Sequence, residues 1–299
     1  MKYKAFTALA AGAIAISGCT ATTADAPMRS NAAASTSAGG MAMTRIGDAP
    51  NFNGVWQVMN SANWNLEPHS AAANPLPQGD RILGAIGAIP AGLGVIEGGT
   101  IPYNEAAQER LALNRANVIN HDPEAACYLP GIPRATYMPH PFQIVQGDGD
   151  DILMVYEYAS ANRVIHMGEV GIPPIDTWMG TSYGRWDGDT LVVTTLAQGP
   201  GLVKLPAGEM MDGVTWLDRA GNYLTNTATV IERFTMDESG DHMDYSVSIE
   251  DPTVYTRPWT INMTLYRAVG ADAQLLEFKC VPFSENLLYG DLIEGQGSE

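Results

Sequence analysis

Toward its C-terminal end the chain alternates cleanly: Met243, Tyr245, Val247 and Ile249 are apolar, and His242, Asp244, Ser246, Ser248 and Glu250 around them are polar. A period of two puts the sets on opposite faces of a strand, one toward a core and one toward water. Shorter runs of the same character occupy residues 51–58, 142–146, 152–158, 163–167, 227–236, 260–269 and 275–280. Between several of them stand turn signals: Gly147-Asp148-Gly149-Asp150, Ala161-Asn162 and Glu238-Ser239-Gly240.

The densest run is 178–195, WMGTSYGRWDGDTLVVTT. Two β-rich arms flank Asp187-Gly188, which predicts a hairpin turning at that dipeptide. Alternation puts Trp178, Gly180, Ser182, Gly184 and Trp186 on one face, two rings bracketing three small residues. That suits a bent barrel strand, or a wall with room for a ligand. The letters GTSYG match a GxSxG nucleophile elbow, but the elbow needs a strand, a turn and a helix, and here a strand turns into a strand.

One helix is predicted over 102–120, capped by Asn104, with Glu105 and Glu109 early and His121-Asp122-Pro123 as its stop. The irregular stretch 60–99 contains ILGAIGAIPAGLGVIEGG, which lacks the spacing of a phosphate loop and is expected to lie over a barrel mouth. The 31 glycines and 19 prolines argue against a helix-rich architecture. No repeat of fixed period is visible, which excludes a propeller. The fold class is therefore mainly β: an antiparallel barrel of roughly nine or ten strands with one helix and a long loop, a tight sandwich being the alternative.

The N-terminus changes the compartment. Lys2 and Lys4 precede an apolar run over 5–16 and then Ser17-Gly18-Cys19, the pattern of a secretory signal over 1–18. Ile16-Ser17-Gly18-Cys19 resembles the lipobox of bacterial lipoproteins, which implies lipidation of Cys19; an ordinary signal peptide with a chance cysteine is the alternative. Thr20 stands where an inner-membrane retention signal has Asp, so the resemblance implies an outer-membrane anchor facing the periplasm. Residues 19–49, rich in Ala, Ser, Thr, Met and Gly, form the lipidated Cys and a flexible tether, and 50–299 a single barrel domain. In an oxidising compartment Cys127 and Cys280 are expected to pair, a cross-link worth roughly 5 kcal/mol in the chain-entropy model; two buried thiols are the alternative. The net charge of −17 disfavours nucleic acid and anionic lipid as partners, leaving the N-terminal lipid as the membrane contact.

Candidate chemistry sits where a charge falls on an apolar strand face, because an unpaired buried charge costs several kcal/mol. Glu232 lies with Val230 and Phe234, Glu157 with Leu153 and Val155, Arg163 with Ile165 and Met167, and Arg267 with Ile261, Met263 and Leu265. Asp251 continues the apolar face that ends at Ile249. Glu157 and Glu232 are candidate bases, as are His166, with a ring that turns inward if its face does, and His140, held between two prolines. Trp178, Trp186, Tyr156, Tyr158 and Tyr245 are candidate ligand-lining rings, and Arg163 and Arg257 candidate anion holders. The five histidines lack metal-ligand spacing, so neither metal nor cofactor is expected. Internal ion pairs and core packing are the competing readings of these residues.

From Cys127 onward, CYLPGIPR, PFQIVQ, YEYASANRVI, GRWDGDTLVVTT, WLDRAGN, ERF and IEDPTVYTRPWT resemble an abundant family of uncharacterised exported bacterial lipoproteins carrying a GRWDGDTLVV-type hairpin. The resemblance implies export and no particular activity. Gly54-Val55-Trp56 and Arg267 resemble the Gly-x-Trp and C-terminal Arg that pack together at one end of lipocalin-like barrels. The functional expectation is a periplasm-facing lipoprotein binding a small hydrophobic or aromatic molecule. The alternatives are a cofactor-independent lyase, isomerase or hydrolase acting on such a molecule, and a structural envelope protein.

Overall fold

Nine strands close into one barrel. In the computed structural model they are β1 (Gly54–Val58), β2 (Phe142–Val145), β3 (Ile152–Tyr156), β4 (Asn162–Met167), β5 (Thr181–Asp187), β6 (Thr190–Leu196), β7 (Thr229–Met236), β8 (His242–Glu250) and β9 (Trp259–Arg267). The structure describes residues 43–73, 88–149, 151–199, 201, 203–204, 210–211, 213–284 and 287–288. The signal segment, Cys19, most of the tether and residues 74–87 of the long loop lie outside these. Residues 45–50, at the end of the expected tether, already form a small antiparallel pairing of Arg45–Ile46 with Ala49–Pro50.

Each strand pairs with its neighbour in sequence, and β9 returns to β1. The barrel is mixed rather than wholly antiparallel: β4 and β5 run parallel, with Ile165 opposite Ser182 and Met167 opposite Gly184. A closed ring with an odd number of strands cannot alternate direction at every seam. One parallel seam is the topological minimum, and residues 168–180 make the crossover it needs.

Alternation holds through most of the ring, β1 and β6 being buried on both faces at Val55–Trp56 and Leu191–Val193. Inward positions such as Trp56, Phe142, Tyr156, Ile165, Val193, Val230, Phe234, Tyr245 and Val247 expose no more than 2 %. Burying each large side chain of this kind is worth about 1.5–3 kcal/mol, so one face of every long strand commits its register. At that exposure no water-sized space remains beside these side chains, and the interior is filled by its own residues.

The expected closure by Arg267 is present. Arg267 lies opposite Trp56, its guanidinium carbon 4.5 Å from the centre of the indole, and Nη1 and Nη2 donate to the carbonyls of Asn53 and Asn51 at 2.7 and 3.1 Å. Gly54 leaves the room, since a Cβ there would meet Arg267 Nη1 at 3.3 Å.

Four local expectations change. The β5–β6 turn consists of Gly188 and Asp189, since Asp187 pairs with Thr190, so it sits one residue later than Asp187-Gly188. Residues 275–280 form no strand: β9 is bonded along one side to β8 and along the other to β1 and residues 95–97, which leaves no free edge for them. The long loop's segment 95–97 lies alongside β9 instead of over a mouth, Glu97 N donating to Thr260 O and Asn262 N to Val95 O. It covers the part of β9 that β1, paired only with Leu265 to Arg267, does not reach. The helix splits into α1 (Glu105–Ala116) and α2 (Val118–His121), with the Asn104 side chain accepting from Ala107 N at 2.9 Å as expected of a cap.

Cys127 and Cys280 form a disulfide across a sequence separation of 153. A further short helix, α3 (Arg134–Tyr137), is wholly buried and packs on β1, with Thr136 beside the phenols of Tyr156 and Tyr245. It plugs the interior next to the charges described below.

Candidate functional site

The interior charge cluster is the first place where predicted residues meet. Arg163 on β4 binds Glu232 on β7 through both Nη atoms, at 2.6 and 3.1 Å, and Tyr245 on β8 donates to Glu232 Oε1 at 2.7 Å. Ser182 on β5 approaches Arg163 Nη1 at 3.5 Å and exchanges a hydrogen bond with Thr195 on β6 at 2.9 Å. Burial works against the Arg163 charge, yet Glu232 beside it prevails and holds its pKa above the ordinary arginine value. Burial, reinforced by Glu232, pushes the Tyr245 phenol well up.

The cluster ties five strands together, and it is closed to substrate. Both Glu232 oxygens are occupied and the residue is fully buried, so the expected base at Glu232 is instead one half of an internal ion pair. Its partner is Arg163, which removes Arg163 from the anion-holding role. Tyr156 and Tyr245 are likewise core residues with no ligand space beside them. Of the charges expected to converge inside, Asp251 instead anchors a turn, taking hydrogen bonds from Thr225, Thr227 and Thr253.

A second buried cluster surrounds α3. Arg134 binds Asp122 through two bonds of 2.7 and 2.9 Å and also reaches Asn63 and Glu124. Nearby, Asp218 accepts from Leu66 N, Ala220 N, Asn222 N and Asn222 Nδ2. Burial outweighs these donors and pushes its carboxyl up to about 6. Sequence reasoning missed this cluster. Its members sit in loops and on the one-turn helix α3, where no strand alternation betrays which way a charge points, although Arg134 and Asp218 fall inside the runs CYLPGIPR and WLDRAGN.

His140 and Glu157 do come together, with Nδ1 3.5 Å from Oε1. Glu157 is past the end of β3, whose inward residues are Ile152, Met154 and Tyr156, so it lies outside the barrel with Leu153 and Val155. Its other oxygen accepts from Leu276 N at 2.8 Å. Phe278 packs against His140 and Tyr158, with ring centres 4.9 and 5.0 Å away, which makes Tyr158 a seat for the chain's own C-terminal segment.

Among several open clefts in the described residues, the one that gathers predicted site residues has a volume of about 370 Å³ and lies where the facing ends of β4 and β5 diverge before their pairing begins. Leu129, Trp178 and Met179 supply apolar walls, and Asn162, His166, Thr177 and Thr181 supply polar groups. Arg163 borders it, with its guanidinium turned inward to Glu232. Trp178 stacks on Tyr128 with ring centres 4.8 Å apart. It is not on the inward face of β5 as expected: Gly180, at φ 65°, bends the chain before the strand begins at Thr181 and breaks the alternation.

His166 is on the outer face of β4, not the inner one. Its Nδ1 lies 2.9 Å from Asp151 Oδ2, and Asp151 Oδ1 accepts from Met167 N at 2.9 Å. The Met167 N–H, followed by His166, lowers the Asp151 pKa and keeps it ionised. A carboxylate on Nδ1 holds that proton and leaves Nε2 as the free ring nitrogen. Asp151 was not singled out in the sequence because it lies in a turn, where an Asp is expected for backbone reasons.

The remaining candidates are dispersed. Trp186 packs edge-on against Phe52 and lines a separate cleft of about 450 Å³ with Asp48, Gln146 and Asp148. Arg257 is exposed and donates to Pro258 O. Comparison of the chain with family models, curated proteins and solved structures gives no match.

Proposed function

We propose that the protein is a periplasm-facing lipoprotein, anchored through Cys19, whose barrel presents an external cleft for a small aromatic or apolar molecule. The observation that carries this reading is the opening between β4 and β5, with the stacked Trp178 ring, Met179 and Leu129 around a volume of about 370 Å³. The lining sets these apolar walls against the polar groups of Asn162, His166, Thr177 and Thr181, a mixture that can orient a small aromatic molecule carrying a polar substituent. The packed interior directs the reading outward, away from the barrel lumen.

The Asp151–His166 pair favours a second reading at the same place. A free Nε2 on a carboxylate-oriented imidazole, beside an apolar wall, is equipped to move a proton in a cofactor-independent lyase, isomerase or hydrolase.

The deciding experiment passes a hydrophobic metabolite extract over immobilised protein and identifies what is retained. Wild type is expected to retain an aromatic or apolar compound that Trp178→Ala loses by tenfold or more while remaining folded by circular dichroism, at a stability cost of about 1–3 kcal/mol because Trp178 is partly buried against the core. Equal retention by both proteins, or none by either, overturns the binding reading. Turnover of the retained compound that His166→Gln abolishes moves the conclusion to the enzyme.

A further inference from the structure

Residues 271–284 follow the last barrel strand, pair with no sheet and lie largely exposed on the outside of the molecule: Leu276 and Val281 are 67 % and 58 % exposed. An extended segment with so little apolar burial has no reason of its own to stay ordered. It is held at discrete points. Leu276 N donates to Glu157 Oε2 at 2.8 Å, Phe278 sits between the rings of His140 and Tyr158, Cys280 is bonded to Cys127, and Phe283 N donates to Ala125 O at 2.6 Å.

The seat is built at a cost. Five non-glycine residues of the described chain have positive φ, and four of them border this contact: Cys127, Ala159 and Ser160 beneath the segment, and Phe283 within it. A left-handed backbone is unfavourable for a residue with a side chain, and such strain concentrates at binding sites and switches. Ala159 and Ser160 follow directly on Glu157 and Tyr158, and their backbone presents those two side chains. Glu157 is further fixed by His140 Nδ1 at 3.5 Å.

We propose that His140, Glu157 and Tyr158 form a recognition site for an extended protein segment carrying an aromatic side chain two residues after a free backbone N–H, and that residues 274–280 occupy it in cis. The disulfide is the latch. Both of its cysteines are only half-buried, within reach of a reductant. A thiolate of a dithiol reductant attacks the Cys127–Cys280 bond and displaces one cysteine thiolate, leaving a mixed disulfide. The reductant's second thiolate then displaces the other cysteine and closes its own disulfide. Two electrons and two protons finish on Cys127 and Cys280 as thiols. With the covalent tie gone, one aromatic contact and a few hydrogen bonds retain the segment, and a competing segment in trans can displace it. The site is separate from the Trp178 cleft and does not depend on the function proposed for it.

The probe is the fluorescein-labelled peptide Gln-Leu-Leu-Glu-Phe-Lys, identical to residues 274–279, added to the full chain and followed by anisotropy. Oxidised wild type is expected not to bind it. The Phe278→Ala/Cys280→Ser chain, with its seat vacated, is expected to bind it, and adding Glu157→Gln to that chain is expected to weaken binding by about tenfold, the effect of losing a hydrogen bond to a charged group. No binding to the vacated chain, or equal binding to oxidised wild type, overturns the site. A second measurement uses unmutated protein: on reduction with dithiothreitol, amide exchange over 274–284 is expected to accelerate at least tenfold while β7 and β8 stay protected. An unchanged rate over 274–284 overturns the latch.

Discussion

Glu232 illustrates how one residue's role depends on a partner far away in sequence. Its position between Val230 and Phe234 says that it is buried, and burial says that it needs a counter-charge, but nothing local names Arg163. With the pair assigned, Glu232→Gln is expected to cost about 3–5 kcal/mol, because it leaves Arg163 charged and uncompensated in the core. Arg163→Met/Glu232→Leu together are expected to recover most of that loss. Urea unfolding of the three proteins checks both, and a double variant no more stable than the single one would mean that the pair specifies the fold and is not merely tolerated by it. The same logic separates the histidines. His166 shares its face with Val164, and the register of β4 turns that face outward, where it meets Asp151.

At the scale of the element, the hairpin of β5 and β6 was legible from its composition, and its start was not. Alternation continued past Thr181 would have carried Trp178 to the inner face. Gly180 prevents this, with φ 65° and no room for a side chain: a Cβ there would approach Leu196 O to 2.6 Å and Thr195 Cγ2 to 2.9 Å. Gly180→Ala is therefore expected to destabilise the protein by about 2 kcal/mol or more, combining the left-handed backbone penalty with overpacking. Because Gly180 also lines the cleft, retention of the ligand should weaken together with stability. Thermal unfolding and the retention assay, run on the same sample, check the two effects. The last run, 275–280, shows the converse error. Its apolar letters resemble a strand, but strand formation needs an open edge, and closure of the barrel removes it.

For the whole molecule, stability against pH follows from the cluster around α3, which joins residues 63–66, 122–124, 134 and 218–222. The Asp218 carboxyl has a folded pKa of about 6. In the unfolded chain the value is about 3.9, so between these limits Asp218 binds more protons in the folded state and its contribution to stability falls as pH rises. The two-unit difference sets an upper size of about 3 kcal/mol, complete above pH 6 and absent below about 4. Asp218→Asn is expected to be less stable overall, since an amide accepts fewer of the four N–H donors, but to flatten this slope. Urea midpoints at pH 4 and 7 check the sign: the variant's deficit relative to wild type should shrink as pH rises.

What the sequence by itself determined is what period, turn residues and composition carry locally. It carried a mainly β architecture, barrel or sandwich, the places of most strands and the cap of α1 through short-range rules, and it offered Cys280 as the expected disulfide partner of Cys127; the closure of Trp56 by Arg267 came from the resemblance to lipocalin-like barrels. The tertiary structure alone decided the parallel seam between β4 and β5, because direction around a closed ring is a property of the strand count and not of any strand. It alone decided that Arg163 pairs with Glu232 while His166 meets Asp151, because hydrogen-bonded register brings together residues that no spacing in the chain connects. It also decided that the aromatic interior is filled and that the cleft bordered by Trp178 lies outside the barrel. Whether inward-facing rings leave a space depends on how side chains from different strands interlock, which a pattern of apolar positions does not record.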